Sequence, residues 1–164
     1  MKFENLFTTF DLSYKLYSAG MGNETLYSYF SDSKGGGTIK RGSINKKGWL
    51  IPTYTCEEIL LKLPYSLNLG DDFYIGINKY IPEVNEYGYR IDDNNPEVEL
   101  IIEKTFDDTN HRFIASYHFP GRKGRIGIKN KSELKPLYEN SFYLPEALGK
   151  LFLLLDKLKL INKE

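Results

Sequence analysis

From residue 144 the chain reads LPEALGKLFLLLDKLKLI, in which Leu148, Leu151, Phe152, Leu155 and Leu158 recur at intervals of three and four. That spacing puts them on one stripe of a helix, and so wide an apolar stripe has to be buried against a partner surface. Pro145 suits the first turn, where a missing N–H costs nothing, and Lys157, Lys159 and Lys163 complement the negative end of the helix dipole. The partner surface is encoded in the middle of the chain. Between residues 72 and 128 the segments DFYIGIN, NEYGYRID, EVELIIE and RFIASYHF alternate apolar with polar residues, divided by Asp-Asn-Asn-Pro and Asp-Asp-Thr-Asn turns. Spacers this short join antiparallel neighbours, since a parallel crossover takes about a dozen residues or more. Ile126 and Ile128 read as a last edge strand. The expectation is an α+β fold: an antiparallel meander packed on one face by the C-terminal amphipathic helix and one or two shorter helices.

Two shorter helices are legible. In DLSYKLYSA, residues 11 to 19, Leu12, Leu16 and Ala19 share a face, Asp11 can cap the first turn, and Gly20 follows where a left-handed residue ends a helix. ETLYSYF, residues 24 to 30, alternates as a strand or an aromatic-rich extended arm. WLIPTYTCEEILLKLP then gives a short strand, a Pro-Thr turn and a second helix. Thr55 and Glu58 have capping-box spacing there, Ile59, Leu60 and Leu63 form the apolar face, and Pro64 stops the helix. No internal repeat and no linker divides the chain, so residues 1–164 read as one domain, with a Gly-rich basic loop or arm at 33–48. A chain of 164 residues buries roughly two thirds of its unfolded surface and needs no disulfide or metal to fold.

Several chemistries are disfavoured. The N-terminal MKFENLFTTFDLSYK lacks the unbroken apolar run of a signal peptide, and no stretch approaches 18 apolar residues, so a soluble, cytoplasmic protein without membrane partners is expected. Cys56 is the single cysteine, which points to a reducing compartment, and Glu57 and Glu58 beside it oppose a reactive thiolate. His111 and His118 lie seven apart on a strand and so face opposite ways, and no residues have zinc-ligand spacing. The pairs Asp71-Asp72, Asp92-Asp93 and Asp107-Asp108 shape turns. No metal and no cofactor is expected. Nucleophile elbows, HExxH and kinase signatures are missing; His111 or His118 can pair with an acid such as Glu99 or Glu103 across adjacent strands, but any meander offers such acid–base pairs. The chain reads as a non-enzyme.

Charge is what remains to be placed. The total balances, 22 Lys+Arg against 22 Asp+Glu, which rules out a generally cationic nucleic-acid binder. Along the chain it is segmented. SKGGGTIKRGSINKKG, residues 33 to 48, has five glycines and five basic residues with no acid, and its Thr38–Ile44 stretch can form a ragged hairpin arm. A second basic segment contains Gly121, Arg122, Lys123, Gly124 and Arg125, and an acidic region from Asp71 to Asp108 separates the two. Consecutive glycines let backbone N–H groups turn on an anion while nearby cations neutralise it. The candidate ligand-binding residues are therefore Lys34, Gly35, Gly36, Gly37, Lys40, Arg41, Arg122, Lys123 and Arg125. Tyr27, Tyr29 and Tyr117 would supply stacking surface beside them. Neither segment matches a nucleotide-binding fingerprint, and a solvated loop with a cationic hairpin tip is the competing account.

Three pieces resemble small uncharacterised phage and prophage proteins: the opening DLSYKLYSAGMGNETLYSYF, the Pro-Thr-led helix IPTYTCEEILLKL, and the closing YLPEALGKLFLLLDKL. The pieces are structural, so the resemblance implies no catalytic residue. It implies a mobile-element protein in a bacterial cell that works by binding. A small anionic, nucleotide-like ligand such as a host defence signal is the first expectation. A module that inhibits a host protein is the second, and a weak single-stranded nucleic-acid binder the third. A homo-oligomer would allow the two basic segments to meet between subunits.

Overall fold

Three antiparallel sheets and three helices make up the α+β fold in a computed structural model, which describes residues 2–31, 37–42, 48–68, 73–76, 97–106, 111–118, 125–130 and 133–161. The first sheet contains β1 (Tyr27–Ser31), β2 (Gly37–Arg41) and β3 (Trp49–Thr53) in the order β2-β1-β3. The second contains β4 (Ser66–Asn68), β6 (Glu97–Phe106), β7 (His111–His118) and β10 (Tyr138–Ser141) in the order β10-β7-β6-β4. The third places β8 (Arg125–Asn130) between β5 (Phe73–Gly76) and β9 (Glu133–Pro136). The long β6–β7 hairpin follows the alternation seen in the sequence. Ile126 and Ile128 lie on a central strand and not on an edge, because Glu133–Pro136 pairs on the far side. NEYGYRID lies outside the described residues.

Helix α1 (Phe10–Ser18) buries Leu12, Ser13 and Leu16. Its N-cap is Thr9, not Asp11; Asp11 lies inside the first turn, where a carboxylate still suits the dipole. Gly20, at φ +85, ends it. Gly20 N–H donates to Tyr17 O and Met21 N–H to Leu16 O, the paired bonds of a Schellman end, with Met21 buried beside Leu16. Helix α2 (Cys56–Leu60) is short and well capped: Glu58 N–H donates to Thr55 Oγ1 and Thr55 N–H to Glu58 Oε2. Helix α3 (Leu144–Lys157) buries its leucine stripe against α1, α2, β7 and β10, with Ala147, Leu148, Leu151 and Leu155 shut off from solvent.

A buried polar knot joins the N-terminal segment to the first sheet. Thr8 Oγ1 lies 2.6 Å from Ser13 Oγ and accepts from Tyr54 N–H at 3.2 Å. Thr8 O accepts from Thr53 Oγ1 at 3.1 Å and from the Tyr29 hydroxyl at 2.9 Å. Glu146, on the first turn of α3, accepts from Thr9 N–H at 2.6 Å. Thr8, Ser13 and Thr53 have no exposed surface, so water cannot replace a lost partner. Thr8→Val keeps the shape and strands the Tyr54 N–H. In urea denaturation it should lower stability by about 2 to 3 kcal/mol, against about 1 kcal/mol for Ser13→Ala. A Thr8→Val loss no larger than that of Ser13→Ala would mean that the knot adds little.

Candidate functional site

Of the first basic segment the structure describes residues 37–42 and 48, and Gly37–Arg41 is a strand of the first sheet. Gly37–Arg41 pairs with β1 in the register Tyr27↔Arg41, Ser28↔Lys40, Tyr29↔Ile39, Phe30↔Thr38 and Ser31↔Gly37. Residues directly opposite share a face, and successive residues do not. Arg41 and Ile39 therefore lie on the face of Tyr27 and Tyr29. Lys40 lies on the other, with its ammonium 4.2 Å from the centroid of the Phe30 ring. Two neighbouring cations are sent to opposite sides of one strand.

The face that carries Arg41 also carries exposed aromatic surface. Phe3, from the 3₁₀ turn Phe3–Leu6, meets Tyr27 edge to face at 6.0 Å, and Phe10 meets Tyr29 in the same way at 5.2 Å. These outer rings remain 48% and 41% exposed. Gly37 keeps the floor beside them low: a Cβ there would stand 3.3 Å from Tyr29 Cδ1 and 3.9 Å from Phe10 Cδ2. One face thus offers two exposed rings, a side-chain-free strand residue and an exposed guanidinium. Tyr14 and Tyr17 extend the aromatic surface along α1, four and seven residues after Phe10. Phe3, Phe10, Tyr14 and Tyr17 stand outside the residues that charge and glycine spacing single out. The second stripe of α1, opposite Leu12 and Leu16, is the signal that points to three of them.

The tyrosines assigned as stacking surface turn out otherwise. Tyr29 is buried, with its hydroxyl given to Thr8 O, and burial pushes its pKa up to about 12, with Glu146 adding to the rise against the Thr53 hydrogen bond. Tyr117 has no exposed surface and donates to Pro64 O at 2.5 Å, and burial raises its pKa further still. Neither ring has a free face for a ligand. Tyr27 is half-buried beneath Phe3 and Phe7. A strand's inner and outer aromatics look alike in sequence, and nothing local distinguishes Tyr29 and Tyr117 from exposed rings.

The remaining candidates are dispersed. Arg125 opens β8, paired with Gly76 in the third sheet, so the described part of the second basic segment belongs to a different sheet from Lys40 and Arg41. Lys34, Gly35, Gly36, Arg122 and Lys123 lie outside the described residues. The β6–β7 register sets Glu99 opposite His118, whereas His111 sits opposite Phe106 and meets the Phe113 ring at 6.1 Å. Cys56 is half-buried, and burial raises its thiol pKa, as suits an unreactive cysteine. Among the described residues no group of three His, Cys, Asp or Glu could hold a metal, and no helix is long and apolar enough to cross a membrane. No family model, no curated protein and no solved structure matches the chain.

Proposed function

We propose that the protein is a non-enzymatic binding protein that sequesters a small anionic, nucleotide-like ligand on the Arg41 face of the first sheet. The observation that carries this reading is the company Arg41 keeps: exposed Phe3 and Phe10 stand on the same face, beside Gly37. A base stacks on an aromatic ring, and a phosphate takes a guanidinium and free backbone N–H groups. Lys34, Gly35 and Gly36 precede Gly37 directly in the chain. The resemblance to phage and prophage proteins supports a setting in a bacterial cytoplasm, where such a ligand would be a nucleotide signal of host defence. The exposed stripe of Phe10, Tyr14 and Tyr17 favours a second reading, in which this surface covers a host protein.

Native mass spectrometry of protein purified from bacteria, followed by calorimetric titration of mono-, di- and cyclic nucleotides, tests the first reading. A nucleotide should co-purify and be recovered chemically unchanged. Arg41→Ala and Phe10→Ala should each weaken its binding at least tenfold, while Lys40→Ala, on the opposite face, changes it less than threefold. Absence of any nucleotide binding, or equal losses for Lys40→Ala and Arg41→Ala, rejects the site. Capture of a host protein that Tyr14→Ala releases would then favour the second reading.

A further inference from the structure

We propose that the outer edge of β2 accepts an extended acidic peptide as an added strand. The backbone pattern sets the edge. Gly42 N–H donates to Leu26 O at 3.0 Å on the β2 side of β1, and Ser31 N–H donates to Gly48 O at 2.9 Å on the β3 side. In an antiparallel pair, residues alternate between facing their partner strand and facing away. Even-numbered residues of β1 therefore bond with Thr38 and Lys40, and Ile39 and Arg41 direct their N–H and C=O groups outward. Among the described residues β2 is the outermost strand of its sheet, and Gly37, Thr38, Lys40 and Arg41 are exposed. Such a row of open donors and acceptors is what strand addition uses.

Charge selects the occupant. Lys40 and Arg41 project to opposite faces of the edge, and Gly37–Gly42 has no acid. A second copy of β2 in this place would add two more cations to those already there, so self-pairing is opposed. An acidic strand turns the same two charges into attractions. The register specifies its sequence: in an antiparallel partner, two consecutive acids face Arg41 and then Lys40, a β-branched apolar residue faces Ile39, and a polar one faces Thr38. Adjacent acids are required, because alternating acids would answer only one face. The inference is independent of the nucleotide reading, since it rests on outward backbone groups and uses Lys40 as fully as Arg41.

The probe is a fluorescein-labelled peptide Thr-Glu-Glu-Val-Thr-Val-Thr, followed by anisotropy against the full chain. It should bind, should protect the Ile39 and Arg41 amides from hydrogen exchange, and should bind at least tenfold more tightly than the same peptide with Lys-Lys in place of Glu-Glu. Methylating the peptide's backbone nitrogens that face β2 should abolish binding while leaving its charge intact. Ile39→Pro removes an outward N–H and spares the bonds to β1, and should weaken binding at least tenfold. Should that variant unfold, the methylated peptide on the wild-type protein answers the same question. The proposal is overturned by equal binding of the methylated peptide, by equal binding of the Lys-Lys peptide, or by no binding of the Glu-Glu peptide at millimolar concentration.

Discussion

Above about pH 10 the protein should lose stability with a slope of up to three protons, about 4 kcal/mol per pH unit at full effect. The cause is the burial of Tyr29, Tyr54 and Tyr117. Each is buried, and each hydroxyl is committed to a backbone carbonyl: Thr8 O, Gly22 O and Pro64 O in turn. Burial disfavours the phenolate and raises all three pKa values, Tyr29 to about 12 and the other two beyond it. In the unfolded chain each titrates near 10. Between the unfolded and folded values the unfolded chain has released a proton that the folded chain still holds. Stability is therefore intact below about pH 10 and falls as pH rises through the window. Urea denaturation at stepped pH, read by far-ultraviolet circular dichroism, checks it. Tyr54→Phe and Tyr117→Phe should each remove about one proton from the slope. A wild-type slope below one proton would show that these hydroxyls ionise as freely folded as unfolded.

The same burial explains which parts of the molecule can be read from sequence. Local chemistry is legible: Thr55 and Glu58 cap α2 through contacts three residues apart, and the leucines of α3 declare their face by spacing alone. The α+β class follows from those helices and from the β6–β7 alternation. Division into three sheets does not, because β4, β9 and β10 have three or four residues each, too few for a period to emerge. The candidate site is hidden for another reason. Whether an aromatic side chain is a wall or a core residue depends on register, and register is a non-local property. Tyr29 and Lys40 look equally available in the sequence. The pairing with Ile39 puts Tyr29 on the face that the folded-back N-terminal segment covers, with Phe3 and Phe10 against β1, and the pairing with Ser28 puts Lys40 on the opposite face.

Leu16→Ala should lower stability by about 3 to 4 kcal/mol, because Leu16 has no exposed surface and its cavity would open where α1 meets α3. The informative partner is Gly149. A Cβ on Gly149 would lie 2.9 Å from Leu12 Cδ2 and 3.1 Å from Leu16 Cδ1, so glycine is what lets the two helices approach. In the wild-type background Gly149→Ala gains about 1 kcal/mol of helix propensity and loses about 2 kcal/mol to crowding, a net cost near 1 kcal/mol. Once Leu16 is alanine, one of the two clashing methyls is gone and Leu12 can turn into the vacated space. The added methyl then fills cavity, and Gly149→Ala becomes stabilising by about 1 kcal/mol. The sign of one substitution thus reverses with the other, a coupling of about 2 kcal/mol that a double-mutant cycle in urea measures directly. Equal effects of Gly149→Ala in both backgrounds would show that the glycine answers to something other than the α1 leucines. The reversal ties the C-terminal stripe to the helix whose opposite side presents Phe10. Loosening α1 against α3 should then weaken any ligand held on that aromatic face, without touching a residue that contacts it.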